Sequence, residues 1–213
     1  SLFGQQITGL KEEDLFAARQ RVGMLFQEGA LFDSLTVEEN VGYPLTTRVS
    51  GRIDDRKADE IAARVKRALE FVELGHTLEK FPSELSGGMR RRVGIARATV
   101  AEPQLVLYDS PTAGLDPITA NTIMALIVKE RDVRHTASIV VTHRYQDGQI
   151  MANFRHDIQT GRLEPVHAGN GNGSHAADLT KFVVLRDGRL VFAGTQTELE
   201  ASRDSYVSKF VRR

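Results

Sequence analysis

The sequence predicts an α/β fold: a parallel sheet with helices packed against it. Three observations carry this. Two apolar runs, Gln104–Asp109 and Ala137–His143, flank a helical stretch, Ile118–Arg131. Strand, helix and strand at that spacing join as parallel neighbours, which predicts a sheet covered on both faces. A third run, Val22–Phe26, has the length of a buried strand. Between them, Ile61, Val65, Leu69 and Val72 recur at helical spacing within Arg56–Val72 and share one face of an amphipathic helix.

The remaining elements follow in order. Leu2–Ile7 reads as a weak strand and Leu10–Arg19 as a turn or short helix. Thr36 with Glu39 three residues on has capping-box spacing for a short helix. Gly75 reads as the terminator of the long helix. Ser86 reads as an N-cap, with a helix from Gly88 to Val100 ahead of Pro103. Phe154–Val166 reads as an added hairpin around Thr160-Gly161, the start of an insert spanning 154–181. Ala168–Asp178 is rich in Gly and Asn and reads as mobile. Asp187-Gly188 between Phe182–Leu185 and Leu190–Ala193 is a strong hairpin signal. Thr197–Val211 reads as a closing helix.

The 213 residues suit one domain, or one domain with a sizeable subdomain, and 41% hydrophobic residues can bury a real core. A formal net charge of zero argues against a nucleic-acid partner, which calls for a basic excess. With no cysteine, disulfides and thiolate chemistry are excluded. No apolar run approaches the ~18 residues needed to span a bilayer. This chain does not insert directly, and would reach a membrane only through a partner.

In open parallel sheets, ligands bind beyond the carboxyl ends of the strands. Three apolar runs end there in a polar group: Gln27, Asp109 and His143. A carboxylate, an amide oxygen and an imidazole suit a Mg²⁺–phosphate site. The string LSGGMRRRVGIARA, Leu85–Ala98, opens a helix with a serine and two glycines, whose backbone N–H groups favour an anion. Taken alone, SGG is an ordinary cap, and Arg90–Arg92 a solvated face.

The combined motifs resemble those of ABC-transporter ATPases. LSGGM at Leu85–Met89 is similar to the signature motif, LVLYD at Leu105–Asp109 to the Walker B strand, and AGLD at Ala113–Asp116 to the D-loop. Gln27 resembles the Q-loop glutamine, and His143 in VVTHR the switch histidine. The motifs stand in the family's order and cover essentially the whole chain, the Gly/Asn-rich region aside. Met24–Leu45 is similar more narrowly to the ATPases of Mla/Mce phospholipid-trafficking transporters.

The resemblance implies a P-loop NTPase-like fold with residues 28–86 as the helical subdomain, and a homodimer that holds Mg²⁺-ATP between its two copies. Ser86, Gly87 and Gly88 would grip the γ-phosphate of the partner's nucleotide, and Asp116 would bridge the two sites. Asp109 and Gln27 would serve the metal. Ala30–Val37 would lie near the groove that grips integral membrane permease subunits. The implied location is the inner face of a bacterial cell membrane, peripherally bound.

Two departures matter. The sequence holds no GxxxxGK[ST]. The expectation is an N-terminally incomplete chain, lacking a strand, phosphate loop and helix on the order of 30 residues or more, which taken literally binds ATP poorly. Second, Ser110 occupies the position of the family's catalytic glutamate. A serine hydroxyl is a poor base, and losing a general base costs ~10²–10⁴ in rate. The water-activating role is vacant or passes to His143, so weak or absent activity is expected of this chain alone. A non-hydrolysing interaction subunit is the competing expectation. The DNA-repair branch of the family is disfavoured, because no sustained heptads lie between Gln27 and Leu85. His135, His156, His167 and His175 lack metal-site spacing.

Overall fold

Three of the apolar runs form one parallel sheet in the computed structural model, which describes residues 1–47, 54–166 and 180–211. The strands are β1 (Val22–Leu25), β2 (Leu105–Asp109) and β3 (Ala137–Val141), in the order β1-β2-β3. Leu25 pairs with Tyr108, and Asp109 with Val141. The Gly/Asn-rich stretch 168–178, read as mobile, lies outside the described residues. Those residues cluster into two units: Ser1–Leu115 with Thr136–Val141, and Asp116–His135 with Thr142–Arg213.

In the first unit the sheet sits among α1 (Glu12–Arg19), α2 (Val37–Thr46), α3 (Asp55–Phe71) and α4 (Gly87–Thr99). Strand alternation puts Leu25, Val106 and Tyr108 on one face, all fully buried. Helix α4 packs on that face, since a Cβ on its Gly94 would meet Leu25 Cδ1. The opposite face departs from the expectation of cover on both sides: Met24, Ile139 and Val141 are 38%, 52% and 59% exposed. Burial requires an element laid on the face, and α4 lies on only one.

The caps follow the sequence closely. Thr36 and Glu39 form a reciprocal capping box at α2. Ser86 accepts from the Met89 N–H at 3.2 Å and starts α4 one residue earlier than expected. The end of α3 differs. Gly75 is not the terminator: Glu73 takes the left-handed conformation at φ 62°. Leu74 N–H reaches Leu69 C=O at 2.8 Å and Glu73 N–H reaches Glu70 C=O at 3.0 Å. This is the Schellman pair, closed by a residue with a Cβ where glycine costs less. Near the N-terminus a single Leu2–Gln5 bridge replaces the expected strand.

The second unit holds α5 (Pro117–Arg134) and α6 (Tyr145–Asn153) with two hairpins, β4–β5 (Phe154–His156, Leu163–Pro165) and β6–β7 (Phe182–Arg186, Arg189–Gly194). Arg131 donates to Phe154 C=O at 2.8 Å and Asp132 accepts from His156 N–H at 2.7 Å, tying β4 to α5. Asp187 and Gly188 both have positive φ, 50° and 73°, as a type I′ turn needs. The closing helix is two short ones, α7 (Gln196–Glu200) and α8 (Ser208–Val211). Asp204 breaks it by accepting from the Tyr206 and Val207 N–H groups, a turn that competes with helix.

Glu73→Gly should stabilise the protein by about 1 kcal/mol, relieving the left-handed strain. At this chain length that raises Tm by roughly 2–4 °C. Thermal unfolding of the two proteins checks it; a lower Tm for the glycine variant contradicts the assignment.

Candidate functional site

The first unit brings the Gln27 turn and the Ser86 helix into one packed body. After β1 the chain makes a single tight turn at Gln27–Gly29, closed by the Gly29 N–H on Phe26 C=O at 3.0 Å. Glu28, Gly29 and Ala30 are successively left-handed, at φ 60°, 85° and 44°. A Cβ on Gly29 would stand 3.0 Å from Arg90 C=O, and one on Gly94 would stand 3.1 Å from Gly29 Cα. At Gly23 a Cβ would be tighter still, 2.1 Å from the Ala98 carbonyl oxygen. Arg97 donates to Gly29 C=O at 2.7 Å. The turn that presents Gln27 is therefore seated on the helix that begins after Ser86. Gln27, Ser86 and Gly87 are exposed, and Gly88 is half-buried. Gly87 and Gly88 are the first two helical residues, whose N–H groups have no partner within the helix.

Asp109 ends β2, half-buried, and Ser110 donates its hydroxyl to Asp109 Oδ1 at 3.1 Å. Ser110 is left-handed at φ 48°, and its N–H bonds Val141 C=O at 2.9 Å. That turn stops the strand at the carboxyl edge, the edge from which Gln27 also emerges in the parallel register. Ala113 N–H then returns to Ser110 C=O at 3.2 Å.

The other two expected residues stand in the second unit. Asp116 caps α5, accepting from the Ile118 and Thr119 N–H groups at 3.0 Å. The Thr119 hydroxyl, followed by these backbone donors, holds its carboxyl below the ordinary aspartate range. His143 follows β3 by two residues and is exposed.

Sequence reasoning missed three residues. Arg91 is no solvated face: it is 3% exposed and donates to Ala113 C=O at 2.6 Å, linking α4 to the loop after β2. Burial pushes its pKa down, partly offset by Glu28 and reinforced by Arg90. Arg97 is likewise buried and depressed by desolvation. Arginine runs usually face water, so composition gave no signal for either. Asn40 is fully buried. Its side chain accepts from Phe32 N–H at 2.8 Å and donates to the carbonyls of Phe32, Leu35 and Thr36, each at 3.0 Å. It thereby shapes the segment Ala30–Val37. Beside that segment lies a groove of about 350 Å³ lined by Met24, Phe26, Phe32, Tyr43, Pro44 and Arg97. The Phe32 and Tyr43 rings pack at 4.8 Å.

Among the described residues, no cluster of three or more His, Asp or Glu side chains could hold a metal ion. One carboxylate, Asp109, and one amide, Gln27, suit Mg²⁺ that keeps its waters and arrives with phosphate oxygens, not an all-protein cage. The residues fit Mg²⁺-ATP in that sense.

The ABC transporter family profile matches residues 2–113, and the chain belongs to that family. It is similar to the dimeric post-hydrolysis structure of the ATP-binding cassette MJ0796 bound to ADP and Pi, with a TM-score of 0.58 and 30% identity, covering 76% of this chain and 70% of that one. The intermembrane phospholipid transport system ATP-binding protein MlaF of Haemophilus influenzae is 31% identical over 209 residues, 98% of this chain and 67% of MlaF. The methionine import ATP-binding protein MetN of Bifidobacterium longum is 36% identical over 163 residues, 76% of this chain. The match covers only 39% of that MetN's length.

Asn40→Ala removes the partner of the Phe32 N–H and of the Leu35 C=O, both part-buried, and should destabilise the protein by about 1–3 kcal/mol. Urea unfolding measures this; a loss under about 0.5 kcal/mol would show that the loop satisfies its backbone without Asn40.

Proposed function

We propose that this chain is the ATP-binding subunit of a transporter that moves phospholipid between membranes, working as a homodimer that couples Mg²⁺-ATP binding and hydrolysis to membrane permease subunits. The observation that carries the reading is the seating of the Gln27 turn on the helix that begins after Ser86. It joins a group for one nucleotide's metal to a group for the partner copy's phosphate. Binding at one place then biases the position of the other, which is the differential interaction a nucleotide needs to shift a conformational equilibrium. Alignment over nearly the whole chain with MlaF supports the phospholipid class. Methionine import is the second reading, favoured by the higher identity of MetN over a shorter stretch.

Each residue has a role on this reading. Mg²⁺-ATP, when bound, supplies the phosphoanhydride that water cleaves. Asp109 and Gln27 hold its metal, directly or through water. Ser86 and the Gly87 and Gly88 N–H groups bind phosphate oxygens of the partner's nucleotide. Asp116 reaches across the dimer, and His143 orients phosphate and water. Ser110 holds the Asp109 carboxylate through its hydroxyl and supplies no base at neutral pH. Residues 28–86 are the helical subdomain, and Phe32 and Tyr43 beside the groove receive an apolar segment of the permease. Residues 154–181 are an added hairpin and insert. No helix among the described residues is long and apolar enough to cross a membrane, and on this reading the chain attaches to the inner membrane face through those permease subunits. If hydrolysis proves absent with all partners present, the same surfaces serve a non-hydrolysing interaction subunit.

The test is ATP turnover by the full-length protein with its membrane partners. Ser110→Glu should raise kcat on the order of 10²-fold by restoring a general base. A fall in turnover on that change would sink the assignment of Ser110 to a vacant base position.

A further inference from the structure

We infer that Asp147 is a positioning residue that fixes the direction of His143, an inference that rests on the proposed role of His143 at the phosphate. Asp147 is 1% exposed, in the first turn of α6. Its Oδ2 accepts the Thr142 hydroxyl proton at 2.7 Å. The Thr142 oxygen in turn accepts the Arg144 N–H at 3.0 Å. The backbone closes the circuit, because Asp147 N–H donates to Arg144 C=O at 3.2 Å, and Arg144 Nε lies 3.9 Å from Asp147 Oδ1. His143 stands between the two residues so bound, with its own side chain exposed.

Simple helix capping does not account for this arrangement. The chain caps two helices with direct boxes, Thr36 with Glu39 and Thr195 with Glu198, where the hydroxyl residue is itself the cap and the acid returns to its N–H. At α6 the cap residue, Arg144, has no side-chain cap bond. The hydroxyl sits two residues earlier instead, and the acid reaches the cap N–H through it. The effect is to clamp the peptide on both sides of His143. A buried carboxylate tied to a hydroxyl removes backbone freedom before ligand arrives, so the imidazole does not have to be ordered during the reaction.

The test uses the full-length protein with four variants. Thr142→Val and Asp147→Ala both break the relay; Asp147→Asn keeps an acceptor oxygen; His143→Ala is the control for the underlying reading. Thr142→Val is nearly isosteric and keeps the experiment decisive if Asp147→Ala does not fold. Amide hydrogen exchange at Arg144, measured without nucleotide, should be about tenfold faster in the two broken variants and close to native in Asp147→Asn. In turnover assays the broken variants should lose about tenfold in kcat with KM for ATP within about twofold, and Asp147→Asn should recover most of it. Native kcat in Thr142→Val and Asp147→Ala, with His143→Ala inactive, overturns the inference alone. Native kcat in His143→Ala overturns the reading of His143 on which it rests. A rise in KM matching the fall in kcat, unrescued by Asn, assigns Asp147 to the fold only and overturns the inference.

Discussion

The contact on which the rest depends is that of α4 with β1 and the Gln27 turn, backbone against backbone. Gly23 meets Ala98 and Gly94 meets Leu25 closer than a Cβ would permit, and Gly29 meets Arg90 and Gly94 meets Gly29 at distances that would crowd one. Interiors packed this tightly transmit displacement instead of absorbing it. The left-handed residues Glu28 and Ala30 would be costly in an isolated turn. Here Arg97 holds the Gly29 carbonyl between them, so the helix stabilises the strained turn and the turn fixes the helix.

Two buried guanidinium groups work within this contact, and among the described residues neither has a carboxylate at ion-pair distance. Arg97 anchors to Gly29 C=O with the Phe32 ring 5.7 Å away, and Arg91 anchors to Ala113 C=O. Burying a cation is expensive, and a backbone carbonyl returns only part of the cost. What the arrangement secures is geometry. Arg91 connects the helix of the signature motif to the stretch that runs from Ser110 toward Asp116. Arg97 connects the same helix to the turn of Gln27. On the proposed reading, the groups that meet one nucleotide and the groups that meet the partner's share a single rigid support, and the aromatic groove beside Ala30–Val37 is attached to it through Asn40.

Much of this was legible in the sequence, for identifiable reasons. The strand ends at Asp109 and near Gln27, and the caps at Thr36 and Ser86, are local events decided by neighbouring residue types. The parallel pairing followed from the strand–helix–strand spacing. What escaped was non-local. That Arg91 is buried depends on Ala113, twenty-two positions away, and that Gly23 cannot carry a side chain depends on Ala98. The α3 terminator was misplaced because a glutamate can take the left-handed position when Leu69 and Glu70 supply the acceptors. The exposed face with Met24, Ile139 and Val141 escaped because apolar strand residues say nothing about which face receives a helix.

The account's central claim is that the Gln27 turn and α4 are one mechanical body. Native-state amide hydrogen exchange across a denaturant series tests it most directly, by comparing Gly29, whose N–H bonds Phe26 C=O, with Val93 and Gly94 in α4. If the claim holds, the three amides open with the same free energy and the same denaturant dependence, as one cooperative unit. Exchange of Gly29 through small local openings, while Val93 and Gly94 stay protected, would contradict it.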